Sequence, residues 1–264
     1  MPDSIRRPHF AKPPVVEVAC GVQFEGLEQW RTPHYGQFGA TIRDAYPETE
    51  DHPPLARLRL EASTTFGPQW LSLPPLRRVF FISPPGNFLI QLQPNRLLHN
   101  WRKVADGDEY PRFDAAFEKF MWTWDQFNKY LSSAGLPSPK PEIWELTYIN
   151  HIVEKDALFP QNMWDYLGFY GTSPKATTSK EASSMAMQIV WPLADEMGAL
   201  SLDVKHGNRV NDQKEVLVLE FTVRGSASDD PTAMNTWFGV AHHAIVNSFE
   251  KLTTTHAHGI WEKL

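Results

Sequence analysis

The sequence contains one cysteine, Cys20, among 264 residues, and it has no apolar run long enough to span a membrane. A single thiol cannot form a disulfide within the chain, which is typical of a protein from a reducing compartment. A transmembrane helix needs about 20 consecutive apolar residues. The first twelve residues carry charges and prolines where a signal peptide would have an apolar core. We therefore expect a cytoplasmic protein that has no membrane partner.

The common loops that hold nucleophiles or phosphates are also missing. The sequence contains no Gly-x-Ser-x-Gly, no Gly-x-Gly-x-x-Gly and no Gly-x-x-x-x-Gly-Lys-Ser/Thr. This excludes the nucleophile elbow of serine hydrolases and the two usual nucleotide-binding loops, and no cofactor is predicted. The net charge of −6 disfavours nucleic-acid binding, which leaves only binding through a local basic patch.

Aromatic residues are abundant, and their spacing predicts two long helices. The chain has 10 Trp, 16 Phe and 7 Tyr. Between residues 112 and 134, Phe113, Phe117, Phe120, Trp124 and Phe127 recur at steps of three and four residues, as on one face of a helix. A second helix is predicted over residues 231–252. Alternating or short apolar segments predict strands at 14–24, 55–61, 77–83, 87–93, 96–103, 142–154, 185–193, 198–206 and 215–224.

The order of these elements predicts an α+β fold, with antiparallel sheet covered on one face by the two long helices. We expect one globular unit over residues 1–264. Because strands followed by a long helix occur twice, the unit could divide into two similar halves, 14–136 and 141–264.

The strand near residue 148 carries polar residues where its alternation demands burial. Tyr148 and Asn150 share a face with Trp144 and Leu146. A buried polar group without a partner costs about 1–3 kcal/mol, so both side chains must be satisfied. Gln93, Arg96 and Asn100, on neighbouring strands, are the predicted partners. The set is either an internal network or a ligand pocket in which Arg96 reads an anionic or carbonyl group.

Histidines near the carboxyl terminus suggest a second hypothesis. His242 lies on the last long helix and His258 follows in the tail. With neighbouring carboxylates they could support a metal-dependent hydrolase or nuclease-like activity. Their spacing matches no metalloenzyme signature, however, so no metal site is predicted.

Several segments together resemble a family of sporadically distributed prokaryotic proteins of similar length and unknown function. They include an Asn-Trp-Arg element at residues 100–102 and a His-x-x-Trp element at residues 258–261. The chain departs from the family pattern at His243, His256 and Glu262. The resemblance implies an accessory role in a phage-defence or toxin–antitoxin-like system. The other segments are residues 14–18, 91–99, 145–150, 241–249 and 252–254.

These observations favour a non-enzymatic binding protein that recognises a partner protein or small ligand. We also expect a homo-oligomer, because so many Trp and Phe residues are hard to bury in one domain of this size. The candidate ligand-binding residues are Gln93, Arg96, Asn100, Trp101, Tyr148, Asn150, His242, His258 and Trp261.

Overall fold

A computed structural model describes residues 8–60, 76–153, 159, 162–169, 184–194, 196–209, 213–228 and 230–264. In these ranges the chain forms one nine-stranded sheet in which every neighbouring pair is antiparallel. The α+β class and the antiparallel sheet are therefore confirmed. No helix in the described ranges combines the length and apolar character that crossing a membrane requires.

The strands lie in the order β2-β3-β4-β5-β1-β6-β9-β8-β7. Strands β1 and β6, which are far apart in sequence, pair at the centre. The strand bounds are β1 Val15–Phe24, β2 Glu48–His52, β3 Arg78–Ile82, β4 Phe88–Gln93, β5 Arg96–Arg102, β6 Pro141–Ile152, β7 Ala186–Pro192, β8 Ala199–Asn208 and β9 Glu215–Ser226.

Four helices accompany the sheet in the described residues: α1 Thr32–Ile42, α2 Arg112–Ser133, α3 Pro231–Leu252 and α4 Thr255–Ile260. The aromatic stripe of α2 is buried at Phe113, Phe120 and Phe127, and Gly135 follows the helix with a φ of +67°, a conformation that suits glycine. Helix α3 begins at an N-cap, Asp230, whose side chain accepts a hydrogen bond from the Thr232 N–H. Both helices lie within a residue of their predicted bounds.

The same element order occurs twice in one sheet. Strand β1 leads, through a long connection, to β3-β4-β5 and α2, whereas β6 leads to β7-β8-β9 and α3. Helix α2 packs on β1 and β5, and α3 packs on β6 and β9. Phe24 of β1 contacts Phe127 with ring centroids 5.7 Å apart, and Trp144 of β6 contacts Trp237, also at 5.7 Å.

Strand register divides the side chains between two faces of the sheet. Val22 is opposite Leu97 on one side and Trp144 on the other, and this apolar face carries most of the buried core. The neighbouring residue Gln23 is opposite Arg96. The face to which these two belong, here called the polar face, also carries Asn100 and Glu145.

Residues 48–60 differ from the sequence-based prediction. The acidic segment Glu48–His52, for which no strand is predicted, forms β2, an edge strand paired with β3, and its charged side chains are exposed, as edge strands allow. Residues 55–60, expected to be a strand, pair with no strand. Leu58 and Leu60 alternate as in a strand, but Pro53 and Pro54 precede the segment and glutamine side chains satisfy part of its backbone.

Candidate functional site

A partly enclosed cavity of about 260 Å³ lies between the end of β6, the start of α2 and the middle of α3. Its apolar wall includes Phe113, Ile245 and Phe249, and its polar edge includes Tyr148, Asn150 and His242. Pro8, His9, Phe10, Pro13, Val15, Tyr110, Arg112, Asp114 and Val246 complete the lining.

Three polar side chains form a hydrogen-bonded row along this cavity. The Tyr148 hydroxyl lies 2.8 Å from the Tyr110 hydroxyl and 3.0 Å from Nδ1 of His242. Burial raises the pKa of both tyrosines above the usual value, so they are neutral at physiological pH. The His242 ring stacks on Phe113 with centroids 4.2 Å apart and planes 4° from parallel. The row is thus a fixed hydrogen-bonding edge on an otherwise apolar space.

Asn150 adds a hydrogen-bonding atom to the same edge. Its side chain is 2% exposed, and Nδ2 donates to the carbonyl of Leu219 at 3.2 Å. Among the described residues, the carboxamide oxygen has no hydrogen-bond partner. An oxygen in this position can accept from a ligand N–H or O–H, since a nearly buried acceptor gains most from a partner.

Residues 9–11 line or border one side of the cavity and pair with residues 262–264. The N–H of Ala11 donates to the carbonyl of Glu262 at 3.0 Å, and the N–H of Leu264 donates to the carbonyl of His9 at 2.8 Å. Phe10 lies between them and contacts the rings of Phe249 and Trp261. Arg112 donates from both terminal nitrogens to the Phe10 carbonyl at 3.2 Å. One wall of the cavity is therefore held in place by contacts between residues far apart in sequence.

Six of the nine predicted site residues lie at or directly behind this cavity. Tyr148, Asn150 and His242 line it. Trp101 contacts the Tyr110 ring at 5.4 Å. His258 and Trp261 both contact the Phe10 ring, and His258 is also 2.9 Å from the Thr253 hydroxyl. These last three residues support the walls instead of facing the cavity.

The other three, Gln93, Arg96 and Asn100, lie on the polar face, and the prediction that they partner Tyr148 and Asn150 is wrong. Asn100 of β5 is opposite Ala19 of β1. On its other side, Ala19 is opposite Thr147 of β6 and not Tyr148. Because side chains alternate between faces, a register offset of one residue places the groups on opposite sides of the sheet.

The polar face contains its own network. Arg96 forms an ion pair with Glu145, and the side chains are 7% and 4% exposed. Arg224 donates to the second Glu145 oxygen at 2.5 Å. Asn100 accepts from Gln91 at 3.0 Å and donates to Glu17 at 2.5 Å. Arg96 is therefore committed to a carboxylate of the chain itself, which removes the basis for a pocket in which it reads a ligand beside Tyr148.

The histidine hypothesis gains no support from the arrangement. Among the described residues, no group of three or more His, Cys, Asp and Glu side chains could hold a metal ion. His243 lies 2.6 Å from Asn247, and His256 contacts the Tyr166 ring. Cys20 is 1% exposed, and burial raises the pKa of its thiol, so it is a poor nucleophile.

Sequence reasoning missed the residues that close the cavity, chiefly Phe10, Tyr110, Arg112 and Phe113. Arg112 has a φ of +70°, which is uncommon for a residue other than glycine. The Tyr-Pro-Arg-Phe sequence at residues 110–113, where α2 begins, was the available signal. The neighbours of this segment are Phe10, Tyr148 and His242, so its role depends on long-range contacts.

Comparisons with known proteins do not identify the chain. No protein-family model matches it, and no curated protein matches it.

Proposed function

We propose that this protein binds a small molecule in the cavity between β6, α2 and α3. The observation that carries the proposal is the hydrogen-bonding edge of Tyr148, His242 and Asn150 beside an apolar space. Ligand sites combine apolar walls with a few polar groups that orient the ligand. The proposed function is binding without catalysis, because Cys20 is buried and the His242 and His258 rings are held by Tyr148 and Thr253.

The proposed ligand is small, mainly apolar and uncharged, and it carries one N–H or O–H donor. The cavity of about 260 Å³ exceeds the roughly 150 Å³ of an engineered apolar cavity that holds benzene, so a bicyclic molecule fits. Arg112 and Asp114 bring opposite charges to the lining, which favours a neutral ligand. The donor would meet the Asn150 carboxamide oxygen.

In this proposal the two long helices, α2 and α3, together cover the apolar face of the sheet. The contacts of Phe24 with Phe127 and of Trp144 with Trp237 support this arrangement. Such a cover would make the cavity a gap in one continuous core. A phage-defence or toxin–antitoxin-like role, recognition of a partner protein and self-association rest on the sequence alone and are predictions.

Titration calorimetry with indole tests the proposal, using two tryptophan substitutions on α3. Val246 lines the cavity, so Val246→Trp fills it and should weaken indole binding by at least about tenfold, or about 1.4 kcal/mol. Val240 is on the same helix, 41% exposed and outside the cavity, so Val240→Trp should bind indole as the unmodified protein does. The proposal fails if indole does not bind, or if both variants bind it equally well.

A further inference from the structure

The two edges of the sheet differ in how they are protected against pairing with another strand. Strand β2, at one edge, exposes Glu48, Glu50 and Asp51. Strand β7, at the other edge, has the sequence Ala-Met-Gln-Ile-Val-Trp-Pro and contains no charged residue. Charged side chains on an edge strand oppose the addition of a further strand. Strand β7 therefore lacks the protection that β2 has.

The hydrogen bonds between β7 and β8 show which backbone groups of β7 face away from the sheet. The Leu193 N–H donates to the Gly198 carbonyl at 2.8 Å, and the His206 N–H donates to the Met185 carbonyl at 3.1 Å. Both pairs continue the register of β7 on β8. Because hydrogen-bonded pairs alternate along an antiparallel ladder, the odd-numbered residues of β7 bond to β8. The backbone groups of the even-numbered residues point outward.

Three outward N–H groups are open at this edge, those of Ala186, Gln188 and Val190. Among the described residues, none accepts a hydrogen bond from them. The fourth even-numbered residue is Pro192, which has no N–H, and proline is tolerated on an edge strand at such an outward position. All four residues are exposed, and Val190 is 52% exposed. The edge thus presents three donors, with their carbonyls, to a strand that pairs with it.

The spacing of these residues makes β7 complementary to a second copy of itself. In an antiparallel pair centred on Gln188, Ala186 lies opposite Val190 of the second copy, and Gln188 lies opposite its own counterpart. Each of these pairs exchanges two backbone hydrogen bonds, so all three outward N–H groups are satisfied. On the apolar face, Met187 and Ile189 of the two copies lie opposite each other, which adds apolar contact.

The Gln188 side chain suits a position on the axis of such a pair. Its Nε2 donates to the two carboxylate oxygens of Asp203 at 3.0 and 3.1 Å, which fixes the side chain beside the edge. Its carboxamide oxygen accepts no hydrogen bond from the described residues, and it can accept from Gln188 of the second copy. A foreign peptide is selected through pockets for its side chains, whereas the outward side chains here match those that the second copy presents.

We propose that β7 pairs antiparallel with β7 of a second copy of this chain, about a two-fold axis at Gln188, and so joins two sheets into one. Contact along a single strand falls below the roughly 1,600 Å² of a standard interface, so the dimer is weak and forms as the concentration rises. The aromatic content predicts self-association without naming a surface, and β7 supplies one. This surface is separate from the cavity beside Tyr148 and does not rest on ligand binding there.

Sedimentation velocity of the full chain over a range of concentrations tests this inference. Gln188→Lys and Gln188→Glu each place like charges opposite each other on the axis. Each variant alone should dimerise at least about fivefold more weakly than the unmodified protein. In an equimolar mixture the lysine of one variant faces the glutamate of the other, so the mixture should dimerise at least as tightly as the unmodified protein.

Matched controls use Gln29, an exposed residue between β1 and α1. Gln29→Lys and Gln29→Glu should dimerise as the unmodified protein does. The inference is overturned if the unmodified protein stays monomeric, if the Gln188 variants dimerise as tightly as it does, or if mixing them restores nothing. A monomeric protein that binds a labelled peptide of residues 185–193 would also overturn it, and would identify a segment of another protein as the occupant.

Hydrogen exchange on the unmodified protein provides a measurement that needs no variant. The amides of Ala186, Gln188 and Val190 should exchange more slowly at roughly 500 µM than at roughly 10 µM protein, because only the dimer protects them. The amides of β6, which bond within the sheet, should show no such change. Exchange of the three β7 amides that is independent of concentration would contradict the inference.

Discussion

His99 is a fully buried titratable side chain, and its environment favours the neutral ring. Its Nε2 lies 2.8 Å from the Tyr46 hydroxyl, while Nδ1 is buried without a hydrogen-bond partner. Burial, with a smaller contribution from Lys119, lowers the pKa of His99 to about 3 from the ordinary 6.5. The folded state therefore resists protonation at a pH where the unfolded chain accepts a proton.

This difference predicts that acid weakens the fold through His99. Well above pH 6.5 the His99 ring is neutral in both the folded and the unfolded state, and its full contribution to stability is present. That contribution is lost as the pH falls from 6.5 towards 3, because only the unfolded chain then takes up the proton. Between pH 7 and pH 5 the loss is about 2 kcal/mol. Urea unfolding at pH 7 and pH 5 measures how much unfolding free energy is lost on acidification. This loss should be about 2 kcal/mol larger in the unmodified protein than in His99→Gln. Equal losses would refute the assignment.

Buried polar residues on the strands and on α3 were also the most informative feature of the sequence. Tyr148, Asn150 and His242 could be chosen as candidates from their positions alone, since those positions demand partners. The predicted partners were wrong because Gln93, Arg96 and Asn100 lie on the other face. Assigning faces across strands requires the register of each pair, which the hydrophobic pattern of one strand does not contain.

The helices and most strands could be predicted because their patterns are long and regular. The aromatic stripe of α2 extends over several helical turns. The alternation of side chains along β6 extends over several residue pairs. By contrast, β2 is short, charged and at the sheet edge, and residues 55–60 have a strand-like composition but their backbone bonds to glutamine side chains. Both errors come from elements whose conformation is decided by tertiary contacts.

The turn between β7 and β8 depends on Gly198. This residue has a φ of +105°, and a Cβ at this position would lie 1.8 Å from the carbonyl oxygen of Arg224 on β9. Gly198→Ala should therefore destabilise the protein by at least about 2 kcal/mol in urea unfolding. A Cβ at Gly207 would have no atom within 4 Å, so Gly207→Ala should change stability by less than about 0.5 kcal/mol. Similar effects of the two substitutions would contradict this account of the turn.

The whole molecule is organised around the pairing of β1 with β6, which joins the two repeated halves in one sheet. The predicted subdivision at residues 14–136 and 141–264 follows the repeated element order, but a separated half would expose β1 or β6 as a long unpaired edge. Among the described residues, the tryptophans of the core (Trp30, Trp101, Trp144, Trp237 and Trp261) are each at most 5% exposed. Trp122 and Phe169, by contrast, are 40% and 37% exposed, and self-association stays a prediction.

Because the halves share this central pair, we expect the full chain to unfold in one cooperative transition and the fragment 1–136 to remain unfolded. Circular dichroism and amide NMR spectra of the fragment and the full chain provide the measurement. A fragment that is monomeric, shows dispersed amide signals and melts cooperatively would mean that the halves are independent domains.

The ligand preference of the cavity tests the central claim most directly, through calorimetric titration of indole and benzofuran. These molecules have nearly the same shape, but only indole carries an N–H donor. If Asn150 orients the ligand, the unmodified protein should bind indole about tenfold more tightly than benzofuran, and Asn150→Leu should bind both with similar affinity. A preference for indole that persists in Asn150→Leu, or that is missing from the unmodified protein, would contradict the claim.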